Sequence, residues 1–364
     1  MKRKAICTLL LVSSLSIIFP FTILKGSAAE FNFGVETVVP KNQVDKKKTY
    51  FDLMVEPGQK QILEINLRND TDNDVKINPL IHSATTNLNG VVEYGENDIE
   101  ADSTLLYKME DIVKTEEEVI IPAKGNYVLK LDVTLPKKEF DGVVAGGIIL
   151  QEDTEGTDEK QNKNQVNKGL SIKNEFAYIV AILLRENEDE IKPELQLNDV
   201  FPDQVNARNV INVNIQNTMP MYMNQMTVKS KVTKKDDSQV LYESNKEGMQ
   251  MAPNSNFDYP ISLNGERLEA GEYTLEMTAA SMGEEWHWTR DFKIDGDVAK
   301  KLNDSDVTKK LNDSDVTIQK DYTWLYVIIG GIVILLAFIL WVIFIRRKKK
   351  ENEENKKQIA NVDE

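Results

Sequence analysis

The sequence predicts an all-β protein: two β-sandwich domains in tandem, then a single C-terminal transmembrane helix. Three observations predict it. Apolar residues alternate with period two in short runs punctuated by Gly, Pro, Asn and Asp. Away from the two ends no stretch sustains a 3.6-residue apolar period, so helices should be few. One uncharged run, 322–345, is followed at once by Arg346-Arg347-Lys348-Lys349-Lys350.

The chain opens with Lys2-Arg3-Lys4, an apolar run over 5–24, and Ser27-Ala28-Ala29 before Glu30. This is the pattern of a secretory signal peptide, residues 1–29. Pro20 and the length of the run would also suit an uncleaved anchor. Cys7, the only cysteine, lies inside it, so a processed chain has none and disulfides contribute nothing to its stability.

A first domain is expected over 30–188. Leu63, Ile65 and Leu67 alternate with Glu64, Asn66 and Arg68 after a Pro57-Gly58 turn, and Leu129, Leu131, Val133 and Leu135 form a second such strand ended by Pro136. The runs 143–150, with Gly146-Gly147 inside it, and 176–184 are almost wholly apolar. They read as two central strands of one hairpin, buried on both faces or nearly so. The acidic stretch 151–168 between them reads as a solvated loop rather than a Ca²⁺ site.

A second domain is expected over 189–295. Ile211, Val213 and Ile215 alternate with Asn212, Asn214 and Gln216. Tyr273, placed just after the Gly271 turn, resembles the tyrosine corner of immunoglobulin-like sandwiches, which refines the fold to two immunoglobulin-like domains. Trp286, Trp288, Arg290, Phe292 and Ile294 share one face, read as the core side, and His287 lies on the other. Residues 296–321 contain a perfect repeat, with 300–308 and 309–317 both reading KKLNDSDVT. One Leu and one Val per nine residues cannot build a core, so this segment is expected to be a flexible spacer, a helical stalk being disfavoured by its Asn-Asp-Ser-Asp content.

The 24 uncharged residues 322–345 span ~36 Å as a helix, enough for a ~30 Å hydrocarbon core. The basic cluster makes 346–364 a cytoplasmic tail and places the N-terminal ectodomain outside the cell. The overall net charge is −15. Residues 1–29 hold four cations and no acids and the tail seven cations and five acids, leaving −21 for 30–345. No nucleic-acid partner is expected from so acidic an exterior, and anionic wall polymers would need a local basic patch.

The chemical inventory is nearly empty. His82 and His287 are the only histidines and fall in different domains. No Gly-x-Ser-x-Gly elbow, P-loop or HExxH occurs. No catalytic residue, cofactor or metal site is therefore assigned, and the chain is expected not to be an enzyme.

Several short motifs carry a resemblance. They are Pro40-Lys41-Asn42-Gln43, Tyr50-Phe51-Asp52-Leu53, Thr86-Asn87-Leu88-Asn89-Gly90, Phe140-Asp141-Gly142-Val143, and Met251-Ala252-Pro253-Asn254-Ser255-Asn256-Phe257. Leu268-Glu269-Ala270-Gly271-Glu272-Tyr273 completes them. In this order, with a signal, two β domains and a membrane helix, the chain resembles the WxL-interacting proteins of Gram-positive bacteria. The resemblance implies a wall-associated, membrane-anchored scaffold or adhesin. It would bind peptidoglycan through the first domain and WxL-domain proteins or host extracellular-matrix proteins through the second. A cell-wall-modifying enzyme and a transmembrane sensor are the alternatives. Phe140, Asp141 and Gly142 are the candidate binding residues, although a bend with close strand packing would need the same glycine.

One consequence is directly measurable. The melting temperature of the secreted chain should be the same with and without reductant; a drop on reduction would show that Cys7 is retained and disulfide-bonded.

Overall fold

The computed structural model describes residues 32–153, 177–306 and 341–349. The first sandwich runs through β1 (Phe33–Thr37), β2 (Phe51–Met54), β3 (Lys60–Asn69), β4 (Val75–Ser83), β5 (Thr85–Thr86) and β6 (Val92–Glu93). It continues through α1 (Met109–Ile112), β7 (Val113–Lys114), β8 (Val119–Ile121), β9 (Asn126–Thr134), β10 (Val144–Glu152) and β11 (Ala177–Arg185). One sheet has the order β1-β3-β9-β7 and the other β2-β11-β10-β4-β8. Leu63 faces Leu131 and Ile65 faces Leu129 across β3 and β9, all fully buried, so the period-two pattern sets which face meets the core.

β10 and β11 pair antiparallel as expected, and both are interior strands of their sheet; β10 is buried on both faces, but β11 is not, since Ile179 on its outer face is 51% exposed. The Gly146-Gly147 pair lets β10 be approached closely from both sides. A Cβ on Gly146 would lie 2.5 Å from the His82 carbonyl and 2.6 Å from the Met109 side chain of α1. On Gly147 it would lie 2.9 Å from Tyr94 Cβ, on the opposite face.

The second sandwich comprises β12 (Leu195–Val205), β13 (Arg208–Asn217), β14 (Met223–Lys234), β15 (Val240–Met251), β16 (Ser255–Ser262), β17 (Gly271–Ser281) and β18 (Glu284–Ile294). Its sheets have the orders β12-β13-β16 and β15-β14-β17-β18. Ile211, Val213 and Ile215 are fully buried, and Trp286, Trp288 and Phe292 pack half-buried against the same core. The Tyr273 hydroxyl donates to the Glu269 carbonyl at 2.9 Å, tying down the turn before β17 as a tyrosine corner does. His287 is exposed, beside Glu285 and Thr278.

The spacer expected over 296–321 is corrected at its start. Residues Gly296–Ser305 form a helix, α2, that includes most of the first repeat and packs on the second sandwich. The Asn, Asp and Ser residues that disfavour a free helix are here the docking groups. Asn303 is buried; it donates to the Leu268 carbonyl and accepts from the Leu268 amide and the Asn209 side chain, each at 2.9 Å. Asp306 accepts from the Asn209 amide at 2.9 Å. Tertiary hydrogen bonds override a propensity that differs by less than 1 kcal/mol per residue, on the order of each bond's own worth.

The signal peptide, most of the acidic loop, the second repeat and 322–340 lie outside the described residues. Residues 341–349 are helical and belong to a separate unit, 307–364. Among the described residues no helix is long and apolar enough to cross a membrane.

Asn303→Ala would strand the Leu268 peptide groups and the Asn209 amide. We expect a loss of about 2–3 kcal/mol, read by urea denaturation, because buried polar groups left unpaired cost about 1–3 kcal/mol.

Candidate functional site

Three of the six motifs, 86–90, 140–143 and 251–257, converge where the two sandwiches meet, inside one compact unit. Gly142 has φ +72°, and a Cβ there would collide with the Pro220 carbonyl. Only glycine fits both demands. The next amide, Val143 N, donates to that carbonyl at 2.8 Å. Phe140 is buried in the first core against Tyr107, with its amide held by Glu186 at 2.9 Å. Asp141 accepts from Asn187 at 3.1 Å on the surface. The three candidates thus stand together at the joint, with Phe140 pointing inward and Asp141 exposed.

The Thr86–Gly90 motif meets the Met251–Phe257 motif directly. The Ala252 amide donates to Thr86 Oγ1 at 3.0 Å, and Thr86 Oγ1 lies 2.7 Å from Ser255 Oγ. The Gln250 amide donates to the Gly90 carbonyl at 2.8 Å. A small apolar cluster of Ala84, Ala145, Leu183 and Ala252 fills the centre, flanked by Tyr94 and Tyr222, whose hydroxyls are 3.0 Å apart. Burial pushes both tyrosines up, most strongly Tyr222, so this pair is neutral at physiological pH.

Asp102 is the charged anchor of the joint. It is 8% exposed and accepts from the Thr104 amide (2.8 Å), Thr104 Oγ1 (2.7 Å), Gln216 Nε2 (2.9 Å) and Asn256 Nδ2 (2.6 Å). Burial alone would raise its carboxyl, but these hydrogen bonds outweigh burial and hold it below the usual aspartate range.

Two grooves border the joint. The first, about 850 Å³, is polar and lined by Asp102, Asn198, Asn214, Gln216, Asn256 and Asp258 among others. Asn198 donates to Asn214 at 2.9 Å and Asn214 to Asp258 at 2.8 Å, a side-chain ladder across β12, β13 and β16. The second, about 630 Å³, lies on the outer face of the first sandwich and is lined by Tyr50, Val92, Glu93, Tyr94, Glu96 and Ile179 with their neighbours. Among the described residues no group of three His, Cys, Asp or Glu is placed to hold a metal.

Asp102, Tyr94 and Tyr222 escape sequence reasoning because their partners lie 114 to 154 residues away. A usable signal exists for β13: three amides in a row on its non-core face are more than a solvated strand needs.

Two family models match the chain. The model described as WxL Interacting Protein, peptidoglycan binding domain, matches residues 33–152. The model described as WxL Interacting Protein, host binding domain, matches residues 167–304. No curated protein matches. Among solved structures, the E. coli chaperone DraB is 14% identical, with 66% of this chain and 91% of that chain covered and a TM-score of 0.24. The Pseudomonas aeruginosa CupB2 chaperone is 13% identical over 66% and 96%, with a TM-score of 0.26. A PapD-like domain of human CEP192 is 11% identical over 47% and 97%, also with a TM-score of 0.26. Likeness at this level carries no functional argument.

The joint should be sensitive to acid. A depressed Asp102 contributes stability that is present above its unfolded pKa, about 3.9, and is lost as pH falls through the lower folded value. Melting followed from pH 6 to pH 2.5 should lose part of its acid dependence in Asp102→Asn; an unchanged profile would remove Asp102 from the joint's energetics.

Proposed function

The chain belongs to the WxL-interacting protein family, and from that premise we propose that it is a membrane-anchored surface scaffold. In this reading the first sandwich grips peptidoglycan, and the second presents a surface to a WxL-domain protein or a host ligand. The observation that carries it is the pairing of a peptidoglycan-binding and a host-binding match in one chain, joined by buried hydrogen bonds. A ligand held at one sandwich is then held in fixed relation to a ligand at the other.

Physical features support the reading. The matched families are binding domains, and the two histidines sit in different sandwiches, with His287 exposed on a sheet face beside Thr278 and Glu285. The half-buried polar ladder offers amide and carboxylate groups for hydrogen bonding along the wall of the larger groove. Exposed edge strands offer backbone groups for strand addition by a protein partner. The uncharged run 322–345 and the basic residues after it support anchoring by one helix, with the sandwiches outside.

The test uses the full chain in detergent, mixed with insoluble peptidoglycan and, separately, with a purified WxL-domain protein. Retention by both is expected, and no muropeptide should be released from the wall material. Retention by neither would end the scaffold reading, and released muropeptides would favour an enzyme.

A further inference from the structure

We propose that the groove between Tyr50, Tyr94 and Ile179 is a sugar subsite, taking one N-acetylated hexopyranose of a glycan strand. The proposal rests on the peptidoglycan reading above and locates it.

The apolar lining of the groove, Val92 with Ile179 and Ala181 of β11, continues into an apolar stripe on the outer face of the sheet. Leu80, Ile149 and Ile179 stand opposite one another on β4, β10 and β11, on the face turned away from the first core. Ile149 is covered, but Leu80 is 39% and Ile179 51% exposed. Nearer the joint the same face carries Gly147 and Ala181, and Tyr94 rests directly over Gly147. The Tyr94 ring is fixed from beyond the groove by the hydroxyl contact to Tyr222. Lys48 Nζ lies 5.4 Å from the Tyr50 ring centroid and steadies that ring by cation–π attraction.

Rigid aromatic rings beside an aliphatic floor suit the C–H faces of a pyranose and the methyl of an acetamido group. Glu93 and Glu96 line the same groove. Glu93 accepts from Asn87 through Oε1 at 2.6 Å, and a carboxylate has lone pairs for further hydroxyl donors. Two carboxylates repel phosphate-rich wall polymers, so charge selects a neutral sugar over an anionic one. The volume, about 630 Å³, is within the ~300–1,000 Å³ usual for small-molecule sites. Tyr50, Glu93, Tyr94 and Glu96 fall inside the peptidoglycan-binding match, and Ile179 and Ala181, in the host-binding match, join them because β11 is a strand of the first sandwich.

The experiment measures retention of the full chain, in detergent, by wall sacculi stripped of anionic polymers. A β-1,4-linked N-acetylglucosamine tetramer is the soluble competitor. The tetramer should displace the wild-type chain. Ile179→Glu should weaken retention at least tenfold without lowering the melting temperature, since Ile179 is exposed. Glu96→Gln should weaken it about threefold to tenfold, which keeps the test decisive if Ile179→Glu misfolds. Ile120→Glu, on the exposed face of β8, should bind like the wild type. Full retention of Ile179→Glu and Glu96→Gln, or failure of the tetramer to compete, would overturn the subsite while leaving peptidoglycan binding intact. A wild-type chain that is not retained at all would overturn the peptidoglycan reading itself.

Discussion

The structure depends on a buried polar joint between its two sandwiches. Thr86 against Ala252 and Ser255, Tyr94 against Tyr222, and Asp102 against Gln216 and Asn256 each bring a group from one sandwich to a partner on the other. Opening that joint would exchange each of these hydrogen bonds for bonds to water, at a net cost of about 0.5–1.5 kcal/mol each. Apolar contact alone, through Ala84, Ala145, Leu183 and Ala252, would tolerate sliding because it has no direction. Hydrogen bonds do not. The joint thus sets both the strength and the angle of the connection.

The same requirement explains why β13 is built as it is. Its odd-numbered residues Ile211, Val213 and Ile215 fill the second core, and its even-numbered amides Asn214 and Gln216 reach the ladder and Asp102. One strand therefore stabilises its own sandwich and fastens the other. Gly142 and Gly90 complete the fit by admitting Pro220 and Met249 to distances that a side chain would forbid. A surface protein whose two ends grip different ligands gains from such stiffness, because tension on one sandwich is carried to the other without unfolding a linker.

Much of the fold was legible beforehand. The alternation of Leu63, Ile65 and Leu67 identified a strand and its buried face, because a pleated strand sends successive side chains to opposite sides. The continuous run around Gly146-Gly147 identified an interior strand, and Tyr273 identified a corner that its hydroxyl indeed ties down. Phe140, Asp141 and Gly142 were recognisable as a unit, but not as part of a joint, since Pro220 lies far along the chain. The helix at Gly296–Ser305 was misread for a physical reason. Local propensity counts Asn303 and Asp306 against a helix, whereas in the folded chain they satisfy Leu268 and Asn209.

By itself the sequence determined the class of the protein: β sandwiches, a strongly acidic composition, and motifs specific enough to place it in a family. These properties are local or additive, readable from period, charge and short pattern. Only the tertiary structure decided that the motifs meet one another, that a polar ladder and an aromatic groove flank their meeting point, and that part of a repeat is a docked helix. Each of these depends on contacts between residues distant in the chain, and a hydrogen bond is worth forming only where folding has already removed the water.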